Sequence, residues 1–378
     1  MLDGHGACST TSPRRRSSCA RAEPRLHFKG MSQLVSPGKA KEGDKIAVLS
    51  PSLAVPAIGP AVHQQALERL HAITGLVPVE FPTTRRLGAG ARERADDLNA
   101  AFADPSIRAI IATAGGDDEM TVLPLLDVEP VLTDPKPVLG YSDNTNLHQW
   151  LWEHGVCSFH GGATQVHLGP GPEVDAVHRA SLRAALLTGE TLEVTEPGYS
   201  EDFGKDWADP QALSEYGTRE QTEPWLWDGP STAASGPGWG GCLEVLVLGL
   251  AAGRIHADAR DLDGCVLILE TSELLPGREL VAGMLRSLGE RGVLTAAAAV
   301  LLARAPATSF QVSRDAQARA QYRQEQAQSA LEVIRHYNTA APVCAGVPFG
   351  HTRPQWILPH GGTLTVDAAS RRITASYV

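Results

Sequence analysis

The chain has 378 residues, more than a single hydrophobic core usually holds, so two domains are expected. Its 43% hydrophobic and 20% charged residues are ordinary for a soluble globular protein, and a net charge of −10 argues against a nucleic-acid partner and for a small neutral or amphoteric substrate. Six cysteines form no C-x-x-C pair, which argues against structural zinc and a disulfide framework and implies a reducing, cytoplasmic location.

Residues 10–21 are rich in Ser and Arg and interrupted by Pro, with no apolar stretch of a secretory signal. Residues 1–30 are therefore expected to be a disordered or non-native extension, with translation starting at Met31. No run approaches the roughly 18 apolar residues of a membrane span, so no membrane association is expected.

From Lys45 the pattern is that of a parallel α/β unit. Ile46-Ala47-Val48-Leu49 reads as a strand closed by Ser50-Pro51-Ser52, and residues 62–70 have helical spacing. A second helix spans 94–102. A second strand spans 109–114 and ends in Gly115-Gly116-Asp117-Asp118. Pro137-Val138-Leu139-Gly140 is a third strand, and a helix over 144–153 follows it. Functional loops of such a unit lie beyond the strand carboxyl ends, where Gly115-Gly116 and Ser142 both fall. These elements define an N-terminal domain over 31–188.

Periodicity then fades. Residues 189–238 mix Gly, Pro, Ser and acidic residues with Trp207, Trp225 and Trp227, as a linker or an active-site loop does. A C-terminal α/β domain over 239–378 follows. It has helices over 243–250, 279–289 and 316–337, strands over 265–269 and 296–302, and a terminal hairpin over 363–366 and 372–377.

Ser142 sits between an apolar strand and the cap residues Asp143, Asn144 and Thr145. Backbone N–H groups at such a helix start suit a developing oxyanion. Locally two readings stay open, a helix cap and a nucleophile, because Asn144 replaces the second glycine of a G-x-S-x-G elbow. Glu270 ends an apolar strand, and His351 lies in the Gly-flanked loop Pro348-Phe349-Gly350-His351-Thr352-Arg353-Pro354. Together the three supply a hydroxyl nucleophile, an imidazole to carry its proton and a carboxylate to fix the imidazole tautomer. A dinucleotide-dependent oxidoreductase is disfavoured, because the first strand is not followed by G-x-G-x-x-G. A non-catalytic nucleotide- or peptide-binding protein remains open. No His/Asp/Glu cluster has metal-ligand spacing, so neither a metal nor a cofactor is expected.

Five ordered segments carry a more specific likeness: Gly115-Gly116-Asp117-Asp118, Gly140-Tyr141-Ser142-Asp143, Gly240-Gly241-Cys242-Leu243-Glu244, Leu267-Ile268-Leu269-Glu270-Thr271-Ser272-Glu273 and the loop around His351. The chain resembles the LD-carboxypeptidase family of serine peptidases from about residue 45 to 359, and within it the microcin C immunity branch more than the peptidoglycan-recycling branch. The resemblance implies a Rossmann-like N-terminal domain bearing the nucleophile Ser142, and a smaller C-terminal α/β domain bearing Glu270 and His351. It also implies an oxyanion hole from the N–H groups of Asp143 and Gly116, and a homodimer. Gly115, Asp117 and Glu244 are further candidate substrate contacts. The immunity branch would place Trp207 or Trp225 against the base of a peptidyl-adenylate. The recycling branch would remove D-alanine from a muropeptide and need a cation for its carboxylate, for which Arg353 is the candidate. One departure is Cys242, where the family usually has asparagine.

Overall fold

Ile46, Ala47, Val48 and Leu49 present no polar side chain, which suits a strand covered on both faces. Strand β1 (Lys45–Leu49) is such a strand, inside a sheet. Its alternate side chains serve two cores. Ile46 and Val48 pack with Ala66 and Leu70 of helix Pro60–Thr74, whereas Ala47 and Leu49 pack with Leu98 and Phe102 of helix Ala91–Ala103. The computed structural model describes residues 34–378, so the expected extension over 1–30 and the start at Met31 lie outside the described residues.

Strands β2 (Val77–Glu80), β3 (Ile107–Ala112), β4 (Val138–Gly140) and β5 (Ser158–His160) join β1 in the parallel order β2-β1-β3-β4-β5. Parallel neighbours need crossovers, which the helices supply. The first helix is punctuated at both ends, by Pro60 at its first position and by Gly75 at φ 72° after its last turn. Strand order reverses at β1 and β3, so the loops beyond their carboxyl ends, residues 50–53 and 113–118, bound a crevice.

The remaining strands are β6 (Thr191–Val194), β7 (Tyr199–Ser200), β8 (Glu220–Gln221), β9 (Leu226–Asp228), β10 (Ala233–Cys242), β11 (Val266–Glu270), β12 (Ala299–Ala303), β13 (Val343–Val347), β14 (Leu358–His360), β15 (Thr363–Asp367) and β16 (Arg372–Ser376). Eight of them form a second sheet in the order β6-β16-β15-β10-β11-β12-β13-β9, parallel across β10 to β13 and antiparallel elsewhere. Leu267, Leu269, Val300 and Leu302 bury one face of it against Val281, Leu285 and Ile334 of helices Arg278–Glu290 and Ala316–Tyr337.

Two boundaries read from the sequence are corrected. Residues 189–238 are not only a linker and loop, since β6, β9 and the first half of β10 belong to the second sheet. The sequence of β10, Ala-Ala-Ser-Gly-Pro-Gly-Trp-Gly-Gly-Cys, lacks alternation because its glycines serve close approach. A Cβ on Gly241 would fall 2.5 Å from Thr145 Oγ1. Residues 239–378 also do not stay with the second sheet. β14 pairs antiparallel with β5 and closes the edge of the first sheet, tying the two domains together. Among the described residues no helix is long and apolar enough to cross a membrane.

Candidate active site

Beyond β4 the chain turns at Ser142, which has φ 62°. Non-glycine residues seldom adopt this left-handed conformation, and holding one there costs on the order of 1–2 kcal/mol. Neighbouring side chains hold the turn. The Asn144 amide donates to the carbonyls of Ala114 (3.0 Å) and Tyr141 (2.9 Å). The buried Asp143 carboxylate accepts from Ser52 Oγ (2.6 Å), the Glu119 N–H (2.9 Å) and Asn146 Nδ2 (2.9 Å), so one side chain joins the loops after β1, β3 and β4. Burial raises the pKa of Asp143, and these donors oppose the shift. The Ser142 hydroxyl makes no capping hydrogen bond to the helix that follows.

The paired glycines have separate tasks. A Cβ on Gly115 would lie 2.6 Å from Ser142 Cβ and 2.8 Å from its Oγ, so Gly115 is the glycine packed against the serine. Gly116 instead backs onto Ser52, whose Cβ lies 2.8 Å from where a Gly116 Cβ would be. The backbone N–H groups of Gly116 and Asp143 have no acceptor among the described residues, as donors kept for a ligand oxygen would not. Asp117 is exposed on the same loop and lines a cleft of about 150 Å³ with Ser52 and Arg94. Asp118 beside it forms a two-pronged pair with the buried Arg94.

Glu270 ends β11, and its register partner on β10 is Cys242. The Cys242 N–H donates to Thr145 Oγ1 at 3.1 Å, so the helix that starts beside Ser142 docks one strand away from Glu270. Glu270 Oε2 lies 2.5 Å from His351 Nδ1, both groups being buried. Gly350 permits this, since a Cβ there would sit 2.7 Å from Glu270 Oε2. The His351 ring packs edge-on against Tyr141, the residue before Ser142, with centroids 4.8 Å apart. Glu270 and His351 thus meet beside Tyr141, the chain neighbour of Ser142. Among the described residues no hydrogen bond joins Ser142 to His351. His351 Nε2 lies 3.2 Å from a carboxylate oxygen of Glu273, without hydrogen-bond geometry.

Electrostatics follow this geometry. Burial works to lower the His351 pKa, but the charge and hydrogen bond of Glu270, with Glu273 and Glu244 behind it, outweigh burial and raise it to about 9. Burial raises the Glu270 carboxyl, against the pull of His351.

The other expected contacts divide. Glu244 accepts from the N–H (3.0 Å) and hydroxyl (2.7 Å) of Ser272 and holds the loop after Glu270. Its other oxygen accepts from the Cys242 thiol at 3.3 Å. Trp207 lies against Gly59 and is half-buried. Trp225 packs on Trp227 and the core at the edge of the second sheet. Arg353 does not match its expected role as a free cation. It is buried, and it donates to Asp175 (2.7 Å) and to the carbonyls of Pro170 and Glu173 (3.0 Å each). Sequence reading missed Ser52, Glu273 and Gln355. Gln355 ties Gly350 to Gly162 across the domains, through a 2.9 Å bond to one and a 2.8 Å bond from the other. Glu273 closes one of the five signature segments without having been given a role, and nothing in the local sequence distinguishes Ser52 or Gln355. A cavity of about 330 Å³ lies elsewhere, between the second sheet and its helices, with Glu270 at its wall and Ser142 not among its lining residues.

Residues 46–161 match the model of the LD-carboxypeptidase N-terminal domain, and residues 235–366 that of the LD-carboxypeptidase C-terminal domain. A Vibrio cholerae protein named as a carboxypeptidase is 28% identical over 333 residues, covering 86% of this chain and 92% of that protein. The microcin C7 self-immunity protein MccF of Escherichia coli is 30% identical over 120 residues, 31% of this chain and 33% of MccF. Among solved structures, MccF in complex with glutamyl sulfamoyl guanosine superposes with a TM-score of 0.77 at 22% identity, over 91% of this chain and 98% of that one. An MccF-like protein from Streptococcus pneumoniae in complex with AMP gives 0.76 at 24% identity, over 89% and 99%.

Proposed function

Because the chain belongs to the LD-carboxypeptidase family, whose two domain models both match it, we propose that it is a serine hydrolase of amide bonds using Ser142, His351 and Glu270. The observation that carries this reading is the buried 2.5 Å Glu270–His351 pair packed against Tyr141, next to a serine held at φ 62°. In the proposed reaction Ser142 Oγ attacks the substrate carbonyl carbon while His351 Nε2 takes its proton. The carbonyl oxygen becomes an oxyanion held by the N–H groups of Gly116 and Asp143. The imidazolium gives its proton to the leaving nitrogen as the C–N bond breaks, and an acyl ester remains on Ser142. Water then attacks the ester with His351 again as base, releasing the acid and restoring the serine. Glu270 keeps the proton on Nδ1, so that Nε2 is the basic nitrogen. For this cycle substrate must displace Glu273 from Nε2 and bring Ser142 and His351 together, in line with the looseness of many unliganded sites.

The substrate we propose is a peptidyl- or aminoacyl-nucleotide. MccF, whose fold this chain shares, is described in complexes with glutamyl sulfamoyl guanosine and aspartyl sulfamoyl adenosine. A half-buried Trp207 supports a stacking contact with the base. Removal of D-alanine from muropeptides is the second reading, favoured by the carboxypeptidase name of the relative matched over most of both chains. The engagement of Arg353 with Asp175 weighs against it, because that reading assigned Arg353 to the terminal carboxylate. Purified protein given an aspartyl phosphoramidate of AMP, whose acyl group is carried on nitrogen, and a tetrapeptide muropeptide separates the two. The first is expected to be cleaved faster, and cleavage of the muropeptide alone would overturn the choice.

A further inference from the structure

Glu270 uses only one of its oxygens. Oε2 meets His351, whereas Oε1 is buried with no hydrogen-bond partner. Opposite it is His160, the last residue of β5, fully buried with neither ring nitrogen partnered. Its Nε2 lies 3.8 Å from Glu270 Oε1. Buried polar atoms of native proteins are seldom left unpaired, and a donor and an acceptor orphaned face to face make a pair that needs about 1 Å of approach to close. The ring is fixed by packing rather than by hydrogen bonds, with Tyr141, Phe349 and His148 at centroid distances of 6.5, 6.2 and 5.9 Å.

We propose that His160 is a positioning residue: its Nε2–H donates to Glu270 Oε1 once the two side chains approach by about 1 Å, fixing the carboxylate that orients His351. The idea rests on the hydrolase reading of Ser142, Glu270 and His351. His160 belongs to the first sheet and Glu270 to the second, so the bond makes the aim of the base depend on how the two sheets are docked. A buried carboxylate with one bonded oxygen can swing about its side-chain torsion; two bonds from opposite sides prevent this. His160 must be neutral to act in this way. Burial, with His148, His360 and His351 nearby, pushes its pKa well down. The charged groups acting on the Glu270–His351 pair are Glu244 and Glu273.

The test compares His160→Gln with His160→Asn in the full-length protein. The Gln amide reaches the position of the imidazole Nε2 and the Asn amide does not. The expected result is that Asn lowers kcat roughly tenfold to a hundredfold, no more than the lower end of the 10²–10⁴ that acid–base catalysis supplies, leaves KM within about threefold and moves the acid limb of the pH profile. Gln is expected to restore most of kcat. The His351 Nδ1 proton resonance, read by NMR without substrate, is expected to shift in the Asn variant. Equal kcat and an unmoved resonance in both variants would overturn the proposal. If wild-type protein hydrolyses nothing while the resonance still shifts with Asn alone, the positioning stands and the hydrolase reading falls.

Discussion

Gly115→Ala is a one-carbon test of how the serine is seated. A methyl group at Gly115 would lie 2.6 Å from Ser142 Cβ, 2.8 Å from its Oγ and 3.2 Å from the Asp143 N–H. Ordinary carbon contacts begin near ~3.5 Å, so Ser142 must yield by about 1 Å. The Asn144 and Asp143 bonds that hold its backbone resist this. Misplacement of a reacting group by that much costs about 10²-fold, or ~2.7 kcal/mol of transition-state stabilisation. The same overpacking costs the fold about 1–3 kcal/mol. Steady-state kinetics on an aspartyl phosphoramidate of AMP, with a thermal melt alongside, is the assay. The expected outcome is a kcat/KM lower by about two orders of magnitude in a protein that still folds. Wild-type kcat/KM in Gly115→Ala would refute the placement of Ser142 as the reacting group.

Other substitutions test separate parts of the account. Ser142→Gly relieves the positive φ that Ser142→Ala retains, so calorimetry should find the glycine variant more stable by about 1 kcal/mol while both are inactive; an alanine variant at least as stable contradicts stored strain. The raised pKa of His351, about 9, means the free base is neutral only at alkaline pH, so kcat/KM should climb towards pH 9, and Glu273→Gln should move that limb to lower pH. The sign for stability is opposite. A histidine raised from 6.5 contributes stability that is full below pH 6.5 and lost as pH rises through about 9, a slope that His351→Gln should lack in pH-dependent melts. Arg353→Ala leaves the buried Asp175 and Glu201 with Arg219 as their remaining cation, so denaturant unfolding should show a loss below the ~3–5 kcal/mol of a fully orphaned buried charge. Trp207→Ala should raise KM for a nucleotide substrate by the ~1–3 kcal/mol of one stacked base and leave hydrolysis of a simple peptide ester unchanged.

Periodicity in the sequence was enough to find β1, β3, β4, β11 and the helices Pro60–Thr74, Ala91–Ala103, Thr145–Glu153 and Leu243–Ala251, because strands covered on both faces are unbroken apolar runs and these helices carry a stripe, whereas Val128–Thr133 and Ala176–Arg183 went unread. It failed for β10 and β6. The glycines of β10 answer to a neighbouring backbone rather than to the burial of alternate side chains, and the Thr-Leu-Glu-Val of β6 is too short to show a period. The meeting of β14 with β5 was hidden for another reason: a return of residues 358–360 to the first sheet is decided by tertiary packing. At the site, the serine, glutamate and histidine were legible as residue types at strand ends and in a glycine-flanked loop. Ser52, Glu273 and His160 were not, since a hydroxyl that bonds Asp143 and an imidazole that faces Glu270 have no local signature. The structure engages Arg353 with the buried Asp175 instead of leaving it free, a difference invisible in sequence, where a cation two residues from His351 looks the same whichever way it faces.

The central claim is that the acyl group passes through Ser142. Acid-quench peptide mass spectrometry during turnover of an aspartyl phosphoramidate of AMP tests it most directly. The account predicts a substrate-derived acyl adduct on the peptide containing Ser142, absent from the Ser142→Ala protein, which should have lost hydrolysis. An adduct on another residue, or undiminished turnover in Ser142→Ala, would contradict it.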